Sequence, residues 1–154
     1  MSFYKLTYQG NQSCEGRIIA IDYGEKRCGI AISDPSCLIA GPLKTLETPQ
    51  ICNFLEYFIK NNEVCLVIIG YSCHKDGTPM PHEKKITKLV KWINHNYPEI
   101  SVGRLDERFT SKMASWYIHA GGAKKKDKKN KNLIDTISAV IMLQEYLDNY
   151  KNKY

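Results

Sequence analysis

Arg17 to Asp22 (RIIAID) is an unbroken apolar run closed by a carboxylate, the pattern of a strand covered on both faces. Tyr23-Gly24-Glu25-Lys26 supplies a turn, and Cys28 to Ser33 (CGIAIS) a second strand. Asp34-Pro35 breaks the chain, and Leu38 to Leu43 reads as a weaker third strand. Connections this short predict an antiparallel meander. The period then changes. Thr48-Pro49 opens a helix to about Lys60, with Ile51, Leu55, Phe58 and Ile59 on one face. Val64 to Ile69 (VCLVII) is another doubly buried strand, stopped by Gly70 and followed by a loop from Tyr71 to Pro81. Ile86, Leu89, Val90 and Ile93 then fall at helical spacing. Ile100 to Leu105 is a fifth strand that runs into Asp106-Glu107-Arg108. Thr110 or Ser111 caps a helix ending at Gly121-Gly122, and a final helix spans about Asn132 to Tyr150.

This order predicts an α/β domain with one five-stranded mixed sheet, three antiparallel strands followed by two parallel ones, flanked by helices. Right-handed crossovers set the fourth and fifth strands beside the first. The carboxyl ends of strands one, four and five then share one edge, the place where open α/β sheets bind ligands. A chain of 154 residues fits one such domain. It is assigned to residues 17–154, with 1–16 as an N-terminal extension of unassigned role.

Three elements distant in sequence deliver carboxylates to that edge. Asp22 ends the most apolar strand, where a lone charge is costly unless something meets it. Asp106 and Glu107 end the fifth strand; neighbouring strand residues point to opposite faces, so one of the two faces the site. Asp135 lies in the first turn of a helix that is apolar nearly all round, Leu133 to Leu143. Each acid has a plain structural explanation as well. Asp22 can accept turn donors, Asp106 or Glu107 can pair with Arg104 or Arg108, and Asp135 suits a helix N-terminus. Together they form a donor set for Mg²⁺ or Mn²⁺, which take hard oxygen ligands. Two such ions about 4 Å apart serve phosphodiester hydrolysis.

Composition narrows the partner. The net charge is +6, and Lys124 to Lys131 holds six lysines and one aspartate. That favours a polyanion, although a lysine run is also an ordinary solvated loop. The run has no apolar face for a membrane, and no stretch of about 18 apolar residues is present. With no secretory signal either, the cytoplasm is the expected compartment. The six cysteines form no Cys-x-x-Cys pair, so they are read as reduced structural thiols rather than a metal site. His74, His82, His95 and His119 suit no shared metal site.

The stretch IDYGEKRCGIAISD (Ile21 to Asp34) resembles the YqgF (RuvX) family, described as Holliday-junction-resolvase-like. The likeness continues through IIG with a downstream KDGT (Lys75 to Thr78), LDERFTS (Leu105 to Ser111) and LIDTISAVIMLQEYLD (Leu133 to Asp148). The resemblance implies a ribonuclease H-like fold and a nuclease, with precursor 16S ribosomal RNA as expected substrate and branched DNA as the alternative. By motif position it implies Asp22, Asp106, Glu107 and Asp135 as catalytic, with Asp22, Glu107 and Asp135 as the expected ligands of two Mg²⁺ or Mn²⁺ ions. Lys26 and Arg27 match the family's basic pair. With Arg108, Lys124, Lys125, Lys126, Lys128 and Lys129 they are the expected nucleic-acid contacts. Where the family has Gly-Leu-Pro after the fourth strand, this chain has Gly70-Tyr71-Ser72, and the nearest further acid is Asp76. A binding module with a decayed site is the competing reading. An actin-like phosphotransferase, which also opens on Asp-x-Gly, needs a second domain that this length does not hold.

Overall fold

The computed structural model describes residues 16–71, 74, 76–106 and 131–149. Strands β1 (Arg17–Tyr23), β2 (Arg27–Ser33) and β3 (Ala40–Glu47) are followed by a 3-10 turn at Thr48–Gln50 and helix α1 (Ile51–Asn61). Then come β4 (Val64–Tyr71), α2 (Glu83–Asn96), β5 (Ser101–Asp106) and α3 (Lys131–Asn149). The helix expected between Thr110 and Gly122, and the lysine run up to Asn130, lie outside the described residues.

The five strands form one sheet in the order β3-β2-β1-β4-β5. β1 pairs antiparallel with β2, and β2 with β3; β4 lies parallel to β1, and β5 to β4. The expected meander and crossovers are therefore present. Alternation along β1 divides its side chains between two layers. Ile19, Ile21 and Tyr23 meet Ile51 and Leu55 of α1 and Ile86, Leu89 and Ile93 of α2. Ile18 and Ala20 meet Ala139, Met142 and Leu143 of α3. Each fully buried isoleucine here contributes about 2 kcal/mol, so the central strands anchor the edge that follows them.

The third strand differs from expectation. It begins at Ala40 and reaches Glu47, whereas Leu38 and Ile39 lie before it with exposed side chains. The reason is Asp34. Its carboxylate accepts hydrogen bonds from the backbone N–H groups of Ser36 (3.2 Å), Leu38 (2.7 Å) and Ile39 (2.8 Å), which removes those residues from the ladder. Pro42 is tolerated because β3 is an edge strand, and the register shifts beside it. The backbone donor of Ile39, followed by those of Leu38 and Ser36, holds the Asp34 carboxyl below its ordinary value. A lowered folded pKa gives stability that is present above the unfolded value, near 3.9, and lost as pH falls through the folded one. Asp34→Ala is thus expected to melt earlier than wild type at pH 7, with the gap closing toward pH 3. A gap that is the same at both pH values would remove the charged turn from the account.

Cys28, Cys37 and Cys52 carry free thiols, as expected. Cys65 does not: it is disulfide-bonded. Pairing depends on how close two Cβ atoms come in the fold, which spacing along the chain does not report.

Candidate active site

Parallel pairing aligns the carboxyl ends of β1, β4 and β5. Ile21 is in register with Ile69, and Tyr71 with Asp106, so Asp22 lies within a residue or two of both strand ends. Asp22 follows Ile21 and precedes Tyr23, which places it with Ile18 and Ala20 on the α3 face. It is half-buried. Tyr23 turns the other way, stacked on His82 with ring centroids 6.3 Å apart. Burial, then the nearby thiols of Cys28 and Cys52, raise its hydroxyl above the ordinary phenol range, so it stays neutral at neutral pH.

Helix α3 brings its N-terminal end to the same edge. The hydroxyls of Thr136 and Thr45 are hydrogen-bonded to each other. Farther along, Gln144 accepts from the Ala40 N–H at 2.9 Å and donates to the Leu38 carbonyl at 3.2 Å. α3 therefore runs antiparallel to β3 and begins where β3 and β1 end. Thr45 pairs with Gly29, and Gly29 with Asp22. Two strand spacings of about 4.8 Å put Asp22 roughly 10 Å from Thr45. Asp135 is the residue before Thr136 in α3. Asp106 is described as the last residue of β5; Glu107 and Arg108 lie outside the described residues, as do Lys124, Lys125, Lys126, Lys128 and Lys129. Among the described residues no three potential ligands gather into a cluster.

The basic pair is carried by a braced turn. Gly24 donates to the Arg27 carbonyl at 2.9 Å, and a side chain at Gly24 would put its Cβ 2.5 Å from that oxygen. Only glycine closes the turn this tightly. Thr48 braces it from outside: its N–H donates to the Lys26 carbonyl (3.0 Å) and its hydroxyl to the Gly24 carbonyl (2.7 Å). Lys26 is exposed, and Arg27 is half-buried. Arg27 stands two residues before Gly29, the partner of Asp22, so it is the diagonal neighbour of Asp22 on one face. Such neighbours lie about 7–8 Å apart, within the span of an arginine. A groove of about 630 Å³ opens beside them, lined by Glu25, Lys26, Arg27, Thr45, Leu46, Glu47 and Pro49.

Two charged residues near this edge are held by other partners. Arg104 does not serve the acids at the end of β5. Its guanidinium grips Glu83 of α2 through two bonds (2.5 and 2.9 Å) and donates to the carbonyls of Ile69 (3.2 Å) and Gly70 (3.0 Å). Asp76 is exposed, and its carboxylate accepts from the Thr78 hydroxyl (2.7 Å) and N–H (3.0 Å). The Thr78 hydroxyl and then its N–H hold that carboxyl below its ordinary value, so Asp76 serves its own turn. Thr45, Thr48 and Glu47 were not read as part of this edge. The Thr-Pro helix start is the one signal that marks Thr48, and the misplaced third strand hid the other two.

A five-stranded mixed sheet with an acid ending its first strand and a helix laid across the meander is the ribonuclease H-like fold. A solved fowlpox virus resolvase in complex with Holliday junction DNA shares it, with a TM-score of 0.52 and 14% identity over 86% of this chain and 97% of that one. The chain belongs to the RuvX family, whose model is described as Holliday junction resolvase and matches residues 16–149. It is therefore a nuclease, an enzyme that hydrolyses phosphodiester bonds. A protein of Christiangramia forsetii is 44% identical over 85% of this chain and 97% of its own length. One of Amoebophilus asiaticus is 38% identical over 90% and 99%. Both bear the name "Putative pre-16S rRNA nuclease". Among the described residues no helix is long and apolar enough to cross a membrane.

Proposed function

We propose that this nuclease trims structured RNA, the 5′ region of precursor 16S ribosomal RNA, with Mg²⁺ or Mn²⁺ held by Asp22, Glu107 and Asp135. The observation that carries the reading is Asp22, an acid at the end of a doubly covered strand, on the face where α3 begins. The donor set fits such ions, being made of carboxylate oxygens. Of the neighbouring acids Asp106 and Glu107, Glu107 is taken as the ligand, since only one of two adjacent strand residues faces a given side. When bound, a pair of ions activates water and stabilises charge on the leaving oxygen. The protein's own groups do the rest. Asp22 fixes the site relative to the sheet, and Lys26 and Arg27 hold phosphates beside the cleaved bond. Arg108 and Lys124, Lys125, Lys126, Lys128 and Lys129 add contacts to more distant phosphates. Residues 17–154 act as one domain, with 1–16 as its extension.

Ribosomal RNA processing puts the enzyme in the cytoplasm. Branched DNA is the second reading, favoured by the family description and by the fowlpox complex. The test is a labelled precursor 16S leader and a four-way DNA junction, each incubated with Mg²⁺, Ca²⁺ or excess chelator. Cleavage of the RNA with Mg²⁺ alone is expected, because Ca²⁺ accepts looser geometry and positions water poorly. Preferential cutting of the junction would move the substrate to DNA, and full activity in chelator would end the metal-dependent reading.

A further inference from the structure

The residues at the open end of the meander form a row on one face. Asp22 is followed diagonally by Arg27, and Arg27 pairs directly with Glu47 across β2 and β3. Thr45 and Glu47 alternate with Leu46, which packs in the α1 and α2 layer, so Glu47 shares the face of Asp22. The groove beside this row has two cations, Lys26 and Arg27, and two carboxylates, Glu25 and Glu47, in its lining. Both carboxylates are exposed, and neither has a hydrogen bond or ion pair among the described residues. A groove that bound only a phosphate backbone is poorly served by acids on its wall, since they repel it. A ribose changes the balance: its 2′-hydroxyl is a donor, and a carboxylate is an acceptor.

We propose that this groove takes the phosphate and ribose of a nucleotide flanking the cleaved bond, with Glu47 accepting a hydrogen bond from the 2′-hydroxyl. Arg27 and Lys26 hold the phosphate, and Glu47, one strand farther from Asp22, reads the sugar. The 2′-hydroxyl is what distinguishes RNA from DNA at a given position. Glu47 is thus a specificity residue, and the inference rests on the nuclease reading of Asp22 above.

The test uses RNA substrates carrying one 2′-deoxy substitution at successive positions around the cleaved bond. Binding is measured by anisotropy in Ca²⁺, and cleavage by single turnover in Mg²⁺. In wild type, one position is expected to lose about tenfold in affinity, the scale of a hydrogen bond to a charged group. Glu47→Ala should bind the ribo and 2′-deoxy forms of that position alike, and Glu47→Gln, which keeps an acceptor oxygen, should retain part of the difference. Wild type indifferent at every position would overturn the proposal. So would Glu47→Ala keeping the full difference, or binding RNA and DNA more tightly by the same factor. If wild type cuts no RNA yet shows the 2′-deoxy effect in binding, the nuclease reading fails and the sugar contact stands.

Discussion

Asp22→Asn is expected to lower cleavage by about a thousandfold or more while the protein still folds. The substitution keeps the side chain's size and shape at a half-buried strand position. What it removes is a formal negative charge and a hard oxygen donor. Transition-state stabilisation by bound metal is on the order of several kcal/mol, and each 1.4 kcal/mol is about tenfold in rate. The melting temperature without metal should stay within about 4 °C of wild type, the shift that ~1 kcal/mol produces in a domain of this size. Added Mg²⁺ should raise the melting temperature of wild type and leave that of the variant unmoved, because a ligand stabilises only the state that binds it. A variant that loses several degrees without metal, yet gains as much from Mg²⁺ as wild type, would show that Asp22 is a structural acceptor.

Much of the fold is legible in the sequence, because its parts are written in strong local patterns. The doubly apolar runs around Ile19 and Ile68 allow only covered central strands. The i, i+3, i+4, i+7 spacing of Ile86 to Ile93 allows only a helix with one buried stripe; Ile86, Leu89 and Ile93 are buried and Val90 is partly buried. Where the reading slipped, a side chain had taken over from pattern. Asp34 claims the N–H groups of Leu38 and Ile39, so two residues that look like strand lie outside it. The same slip hid Thr45 and Glu47, whose placement follows from the true register of β3 against β2. Arg104 was legible as a cation near two acids. Its actual partner, Glu83, is 21 residues away on another element, and only the parallel pairing of β4 and β5 brings them together.

That pairing makes Arg104 the residue whose loss should cost the fold most at this edge. Arg104→Met is expected to destabilise the protein by about 3 kcal/mol and lower its melting temperature by roughly 6–12 °C. Side-chain exposure is only 16% for Arg104 and 18% for Glu83, so solvent screens the pair weakly. Removing the guanidinium leaves the half-buried Glu83 carboxylate without its cation, and the carbonyls of Ile69 and Gly70 lose donors at the end of β4. The guanidinium also lies 5.5 Å from the Tyr71 ring, so it joins β4, β5 and the first turn of α2 at one point. Methionine keeps most of the apolar stem, so the loss reports polar bonds rather than packing. Glu83→Gln should cost less, because the amide oxygen still accepts one of the two bonds. The double variant Arg104→Met, Glu83→Gln should recover part of the single loss, since it no longer buries an unpaired charge. Urea melts of the three variants decide this. If the two single effects simply add, Arg104 and Glu83 do not act as a pair, and the strand ends are held by the carbonyl bonds alone.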